Sequence, residues 1–177
     1  GKVFLRAGLN PIRLKWFNGY GNLGLNVEYE GPDLRRQPIP ETALTRVEIE
    51  RRTGRTNFLS GLNYKCYQGE WDFLPDFRRY RPTKAGVAAN FDSRVRAQNE
   101  KVGLEFEGFM RIPQDGVYTF HVTADDGSQL FVGPGALDVE VVSQGRAPIT
   151  DVTVPSRVLE RTNRPWVTFE GKVESLG

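Results

Sequence analysis

One cysteine, one histidine and one methionine are spread over 177 residues, and each scarcity closes off a chemistry. The lone Cys66 leaves no disulfide framework and no thiolate zinc site within one chain. The lone His121 leaves no two-histidine metal site and no support for Ser-His-Asp or Cys-His catalysis. An excess of one charge is missing too. The 24 Lys and Arg stand against 22 Asp and Glu, a net +2, too balanced to argue for nucleic acid as a partner. No run approaches the ~18 consecutive apolar residues of a bilayer span, so no membrane insertion is expected. No phosphate-cradling glycine loop or nucleophile elbow is present. No signal-peptide pattern opens the sequence, and Gly1 stands where an initiator Met would, as after processing.

What the sequence has in plenty is punctuation, with 19 Gly and 11 Pro, and between these lie short runs of period two. Val3 and Leu5 share a face, as do Ile12, Leu14 and Trp16, and then Leu23, Leu25, Val27 and Tyr29. Residues 31–42 hold three prolines and read as loop, 43–53 fits a helix or a charged strand, and 54–61 reads as a linker. Further on, Leu62, Tyr64 and Cys66 alternate. The two best strands follow. Val102, Leu104, Phe106, Met110 and Ile112 share one phase, and Tyr118, Phe120, Val122 and Ala124 share the next, with a Pro-Gln-Asp-Gly turn at 113–116 expected to close a hairpin between them. A short strand follows at 129–132. Beyond Gly133 the strand signals are weaker, at 139–142, 152–154 and 166–173. No helix with an apolar face emerges. The fold class is all-β, and an antiparallel β-sandwich fits better than a closed barrel. Leu5, Leu14, Trp16, Leu25, Trp71, Phe106, Tyr118, Phe120 and Leu130 are the expected core.

Three segments carry a family resemblance. GLNYKCYQGEWDFLPDF at 61–77 has a Gly-Leu start, an aromatic pair, Gly-x-Trp and Leu-Pro. FEGFMRIPQDGVYTFHVTADDGSQLFVG at 106–133 combines Asp-Gly-Val-Tyr-Thr-Phe with Asp-Asp-Gly-Ser-x-Leu. VFLRAGLNPIRLKWFNGYGNLGLNVEYEGP at 3–32 has an Ala-Gly-x-x-Pro-Ile-Arg turn, a loop, and a strand ending Glu-Gly-Pro. Together they resemble the PA14 domain, a β-sandwich of bacterial toxins, glycosidases and yeast adhesins. The resemblance covers about residues 1–45 and 58–134. The order departs from the family: a closing half at 1–45 precedes a linker at 46–60 and an opening half at 61–134, as in a permuted domain or a window across tandem repeats. Either way, residues 2–30 are expected to pair with strands from 102–132, since neither half covers its own apolar stripe. Residues 135–177 form a β-rich extension whose WVTFEGKVESLG resembles the opening strand of a partial OB-like barrel.

The sharpest local feature is the adjacent pair Asp125 and Asp126. Neighbouring carboxylates repel unless a cation, a basic group or protonation intervenes. Ca²⁺ takes six to eight oxygens at about 2.3–2.6 Å. In the sugar-binding branch of the family, an Asp-Asp pair joined by a cis peptide grips calcium, and the metal ligates vicinal sugar hydroxyls. A loop of the closing half adds an Asn and carbonyls. The resemblance therefore implies calcium as cofactor, Asp125, Asp126 and Asn18 as metal ligands, and Asn22 as a second candidate. Tyr20 is the ligand-facing aromatic. The alternative is plain turn chemistry, with the Asp side chains capping backbone amides.

Trp71, Phe73, Tyr64 and Tyr67 read as packing or as a sugar platform. The basic stretch Arg78, Arg79, Arg81, Lys84, Arg94, Arg96 and Lys101 reads as a solvated surface or an acidic-glycan face, without the stacking aromatics of an RNA-binding sheet. His121 reads as a surface residue. The implied function is a non-catalytic carbohydrate-binding module of an exported bacterial protein, extracellular, periplasmic or at the cell surface, with an adhesive role. Its partners would be a glycan or cell-surface polysaccharide and other domains of a larger parent protein. The alternative is a structural spacer or protein-interaction domain. A glycoside hydrolase would need paired carboxylates facing across a cleft, and Glu105 with Glu107 is the pair the sequence offers.

Overall fold

A computed structural model describes residues 1–133, 138–144 and 166–167 of the chain. Thirteen strands run in chain order: β1 (Lys2–Leu5), β2 (Gly8–Asn18), β3 (Gly24–Gly31), β4 (Leu34–Pro38), β5 (Leu44–Ile49), β6 (Thr56–Ser60), β7 (Leu62–Gln68), β8 (Lys84–Ala88), β9 (Val102–Ile112), β10 (Gly116–Asp125), β11 (Gly127–Val132), β12 (Asp138–Gln144) and β13 (Trp166–Val167). Among the described residues the only helical turns are three short 3₁₀ segments.

The strands form two sheets. The smaller has the order β1-β10-β3-β4, and the larger runs β13-β12-β11-β2-β9-β5-β6, with β7 also on β9 and β8 beyond it. All pairings are antiparallel except β12 with β13. The architecture is the expected β-sandwich, and the period-two runs explain it. Leu14, Trp16, Leu104, Phe106 and Leu130 on the larger sheet face Leu5, Tyr118 and Phe120 on the smaller, all at or near zero exposure. Two of the expected core residues differ: Leu25 and Trp71 are half-buried. Leu25 pairs with Ala124 one rung from the end of its ladder, and Trp71 lies outside the sheets.

The two best strands of the sequence do not pair with each other. β9 belongs to the larger sheet and β10 to the smaller, so the Pro113–Gly116 turn is a crossover between layers, not a hairpin. The physical reason is that both strands are strongly apolar on one phase. Folding the chain over turns the two apolar faces toward each other, whereas a flat hairpin would leave them side by side. β1–β2–β3 alternate between layers in the same way, and the two triplets interleave. β2 lies between β9 and β11, and β10 lies between β1 and β3, which is the pairing expected of residues 2–30 with 102–132.

Two stretches depart from the sequence reading, and an ambiguous one is decided. β4 occupies 34–38 within the presumed loop. It is an edge strand, where Pro38 costs no ladder bond. The ambiguous 43–53 is strand β5. The presumed linker 46–60 carries a β5–β6 hairpin with five rungs of its own. β9 changes neighbour along its length, from β7 at 102–107 to β5 at 109–110. Gly108 sits at that junction. A Cβ there would lie 2.6 Å from Leu62 Cδ2 and 2.7 Å from the Thr45 carbonyl oxygen, so the strand exchange needs glycine. The strand signal at 139–142 falls within β12. The signals at 152–154 and 168–173, and the OB-like reading of the tail, lie outside the described residues.

Candidate functional site

Two crossovers meet at one end of the sandwich. One is the 19–23 loop leading from β2 to β3, and the other is the Asp125–Asp126 corner leading from β10 to β11. The peptide between the two aspartates is cis. The buried Trp16 indole N–H donates to the carbonyls of Gly24 (3.0 Å) and Asp125 (3.1 Å), tying both crossovers from below. The Asp126 N–H donates to the Phe17 carbonyl at 3.1 Å, and the Gly19 N–H donates to Asp126 Oδ2 at 2.7 Å. Asn18, between those two residues, is fully buried. Its amide N–H donates to the Asn99 carbonyl at 2.9 Å, and its Oδ1 is enclosed without a hydrogen-bond partner. Buried polar atoms are normally satisfied, so an orphan oxygen calls for a donor or a cation.

The loop is held from outside by residues that the sequence reading passed over. Lys101 takes a left-handed φ of 51°, which lets it serve both neighbouring loops. Its N–H donates to the Gly19 carbonyl (2.8 Å), and its own carbonyl accepts from Gly69 (2.9 Å). The Lys101 ammonium reaches Glu70 Oε2 at 2.9 Å, and the Tyr20 hydroxyl donates to Glu70 Oε1 at 2.8 Å. These hydrogen bonds, from Lys101 and then Tyr20, hold the Glu70 carboxyl below its ordinary range. The hydrogen bonds to Tyr20 and Glu70 hold Lys101 above its own.

Between these elements lies a cleft of about 370 Å³ lined by Phe17, Gly19, Tyr20, Glu70, Trp71, Asp72, Phe73, Asp126 and Gly127. Tyr20 is 55% exposed and Phe73 70%. Trp71 meets Phe77 and Tyr80 edge-on, at 5.9 and 5.4 Å, so one flank packs while the residue also lines the cleft. Asn22 is exposed further along the loop. The structure thus places Asp126 and Tyr20 on one cleft, while Asn18, buried next to Gly19 in sequence, and Asp125, next to Asp126, are not among its lining residues. It adds Glu70 and Asp72, for which the one sequence signal was the Gly-Glu-Trp-Asp-Phe run of mixed aromatic and acidic residues, and it places Trp71 and Phe73, read as packing or as a sugar platform, on the same cleft. Among the described residues, no group of three or more His, Cys, Asp or Glu gathers as a metal cluster. The expected ligands Asp125, Asp126 and Asn18 would offer two carboxylates and an amide oxygen, hard ligands of the kind calcium takes.

The other candidates resolve into structural roles. Glu105 is buried, accepts a hydrogen bond from the Tyr67 hydroxyl at 3.2 Å, and shares Lys65 with Glu107. The two glutamates lie on one strand, two residues apart. In the basic stretch, Asp76 pairs with Arg78 and Asp92 with Arg94, each pair at a 3₁₀ turn. His121 stands 3.3 Å from Glu30 on the outer face.

Two antiparallel layers with two crossovers meeting at an Asp-Asp corner define a β-sandwich module. The family model of the PA14 domain matches residues 59–152, more than half of the chain. The chain belongs to the PA14 domain family. Neither the curated proteins nor the solved structures give a match.

Proposed function

We propose that this domain is a non-catalytic, calcium-dependent glycan-binding module of an exported or cell-surface protein, with its site at the Asp125–Asp126 corner. The observation that carries the reading is the buried Asn18 Oδ1, without a hydrogen-bond partner, on the residue between Phe17 and Gly19, both of which hydrogen-bond Asp126. Asp125, Asp126 and Asn18 would hold the ion, and bound calcium supplies open coordination positions for vicinal sugar hydroxyls. The chain's own residues do the rest. Trp16 fixes the carbonyls of both crossovers, Lys101 and Glu70 set the loop, and Tyr20 with Trp71 offers apolar ring surface to a sugar face.

One observation favours a second reading, a spacer or interaction domain. Asp126 already accepts the Gly19 N–H, as an ordinary capping aspartate would. Calorimetric calcium titration separates the two. Asp126→Asn keeps an acceptor for Gly19 and removes the charge, so the fold should stand while calcium affinity drops at least tenfold. A glycan panel read in calcium and in EDTA should lose its binders in EDTA. An unchanged calcium isotherm in the variant leaves the spacer reading.

A further inference from the structure

The β5–β6 hairpin is an arm. β5 shares only its first two residues with β9, Leu44 with Met110 and Thr45 with Phe109. From there β9 is occupied by β7, so the hairpin continues with only its own rungs, out to Ile49 with Thr56. An isolated two-stranded hairpin has no sheet to bury its faces, and this one exposes large apolar side chains. Ile49 is 62% exposed and Phe58 57%. Val47 pairs with Phe58 and Ile49 with Thr56, so Val47, Phe58 and Ile49 line one face of the arm.

The turn beyond them is basic. Arg51, Arg52 and Arg55 are exposed, and among the described residues none of them has an ion pair. The nearby acids are already engaged. Glu48 lies on the opposite face with Arg46 at 3.6 Å, and Glu50 accepts from the Thr53 hydroxyl at 2.6 Å. The arm therefore presents Phe58 and Ile49 leading into three arginines that have no ion pair among the described residues. An anionic polysaccharide or polynucleotide would account for the arginines and the Phe58 ring but not for the exposed aliphatic Ile49, which has no ring to stack on. A surface that is both anionic and apolar beneath accounts for both.

We propose that the β5–β6 arm docks on an anionic phospholipid leaflet. The arginines sit among the headgroups, and Phe58 and Ile49 enter the boundary of the acyl chains. This is peripheral binding, at a place separate from the Asp125–Asp126 cleft, and it needs no calcium.

The test is co-sedimentation of the whole chain, in EDTA, with vesicles of phosphatidylcholine alone or of three parts phosphatidylcholine to one part phosphatidylglycerol. The protein should pellet with the second and stay in solution with the first, and added salt should release it. Each arginine near a charged surface is worth roughly a fivefold change in partition, so the triple variant R51E/R52E/R55E should partition at least about a hundredfold less. Phe58→Ser should weaken binding by a smaller factor and leave the remainder salt-sensitive. Both variants alter exposed side chains, and unchanged thermal melts should show that the fold is intact. Absence of pelleting with phosphatidylglycerol, equal pelleting with phosphatidylcholine alone, or an unaffected triple variant overturns the proposal. Retention on dextran sulfate without vesicle binding also overturns it and makes the partner an anionic polysaccharide.

Discussion

Replacing Trp16 by Phe tests whether the indole holds the crossovers in place. Trp16 is fully buried on β2, and its N–H is shared between the carbonyls of Gly24 and Asp125, one on each flanking strand of the opposite sheet. Phe keeps a ring in the core but deletes the donor and the second ring. Removing a donor from a buried acceptor costs about 1–3 kcal/mol, and the vacated space adds a further cavity cost of about 1 kcal/mol. The sum is about 3 kcal/mol, a large share of the stability of a domain of this size. The assay is urea unfolding followed by circular dichroism. The midpoint should fall with the slope unchanged, because the surface exposed on unfolding is nearly the same. The variant should also bind calcium more weakly than its loss of stability explains, since Asp125 and the start of β3 lose their common anchor. A loss below about 1 kcal/mol would refute the reasoning, because it would mean that the two carbonyls are satisfied without the indole.

Phe120→Ala should cost about 3–5 kcal/mol in the same assay, because Phe120 is 2% exposed in the inner face of β10. A loss under about 1 kcal/mol would show that the strand phase is misread. Gly103→Ala should destabilise by about 1–3 kcal/mol and change tryptophan fluorescence, because a Cβ there runs into the Phe77 ring and meets Trp71 at 3.4 Å. The hydrogen bond from Arg78 pushes the Asp76 carboxyl down to about 2. A carboxyl whose folded pKa lies below its unfolded value stabilises above the unfolded pKa and loses that contribution as pH falls. Asp76→Asn should therefore flatten the loss of stability between about pH 4 and pH 2 in acid-unfolding curves, and an unchanged acid slope would count against the pairing.

Periodicity made the strands and their buried phases readable, since Val102 through Ile112, Tyr118 through Ala124, and Ile12 through Trp16 each show one apolar residue in two. Which sheet each strand joins was not readable from local pattern. Pro-Gln-Asp-Gly serves a hairpin or a layer crossover equally well, and the choice between them is made by strands about a hundred residues away. β4 was hidden by its prolines, which an edge tolerates. At the site, Asp125, Asp126 and Asn18 were marked by motif. Glu70 was not, and Lys101 was marked only as part of a basic stretch, because their roles depend on two loops being stapled together by a lysine backbone at a left-handed φ. Trp71 illustrates the limit of the pattern. Gly-x-Trp reads as core, yet the residue sits at the rim with one flank packed.

The interleaving of β1–β2–β3 with β9–β10–β11 has a consequence for the growing polypeptide. Among the described residues β1 pairs only with β10, and β2 only with β9 and β11, so these two strands have no such neighbour until about a hundred more residues have left the ribosome. At about 5–20 residues per second that is a wait of several seconds or more, during which Leu14, Trp16 and Val27 are without their core. The chain must then thread two triplets between each other late and together. The nascent N-terminal segment is therefore the stage at which a holdase chaperone has most to bind.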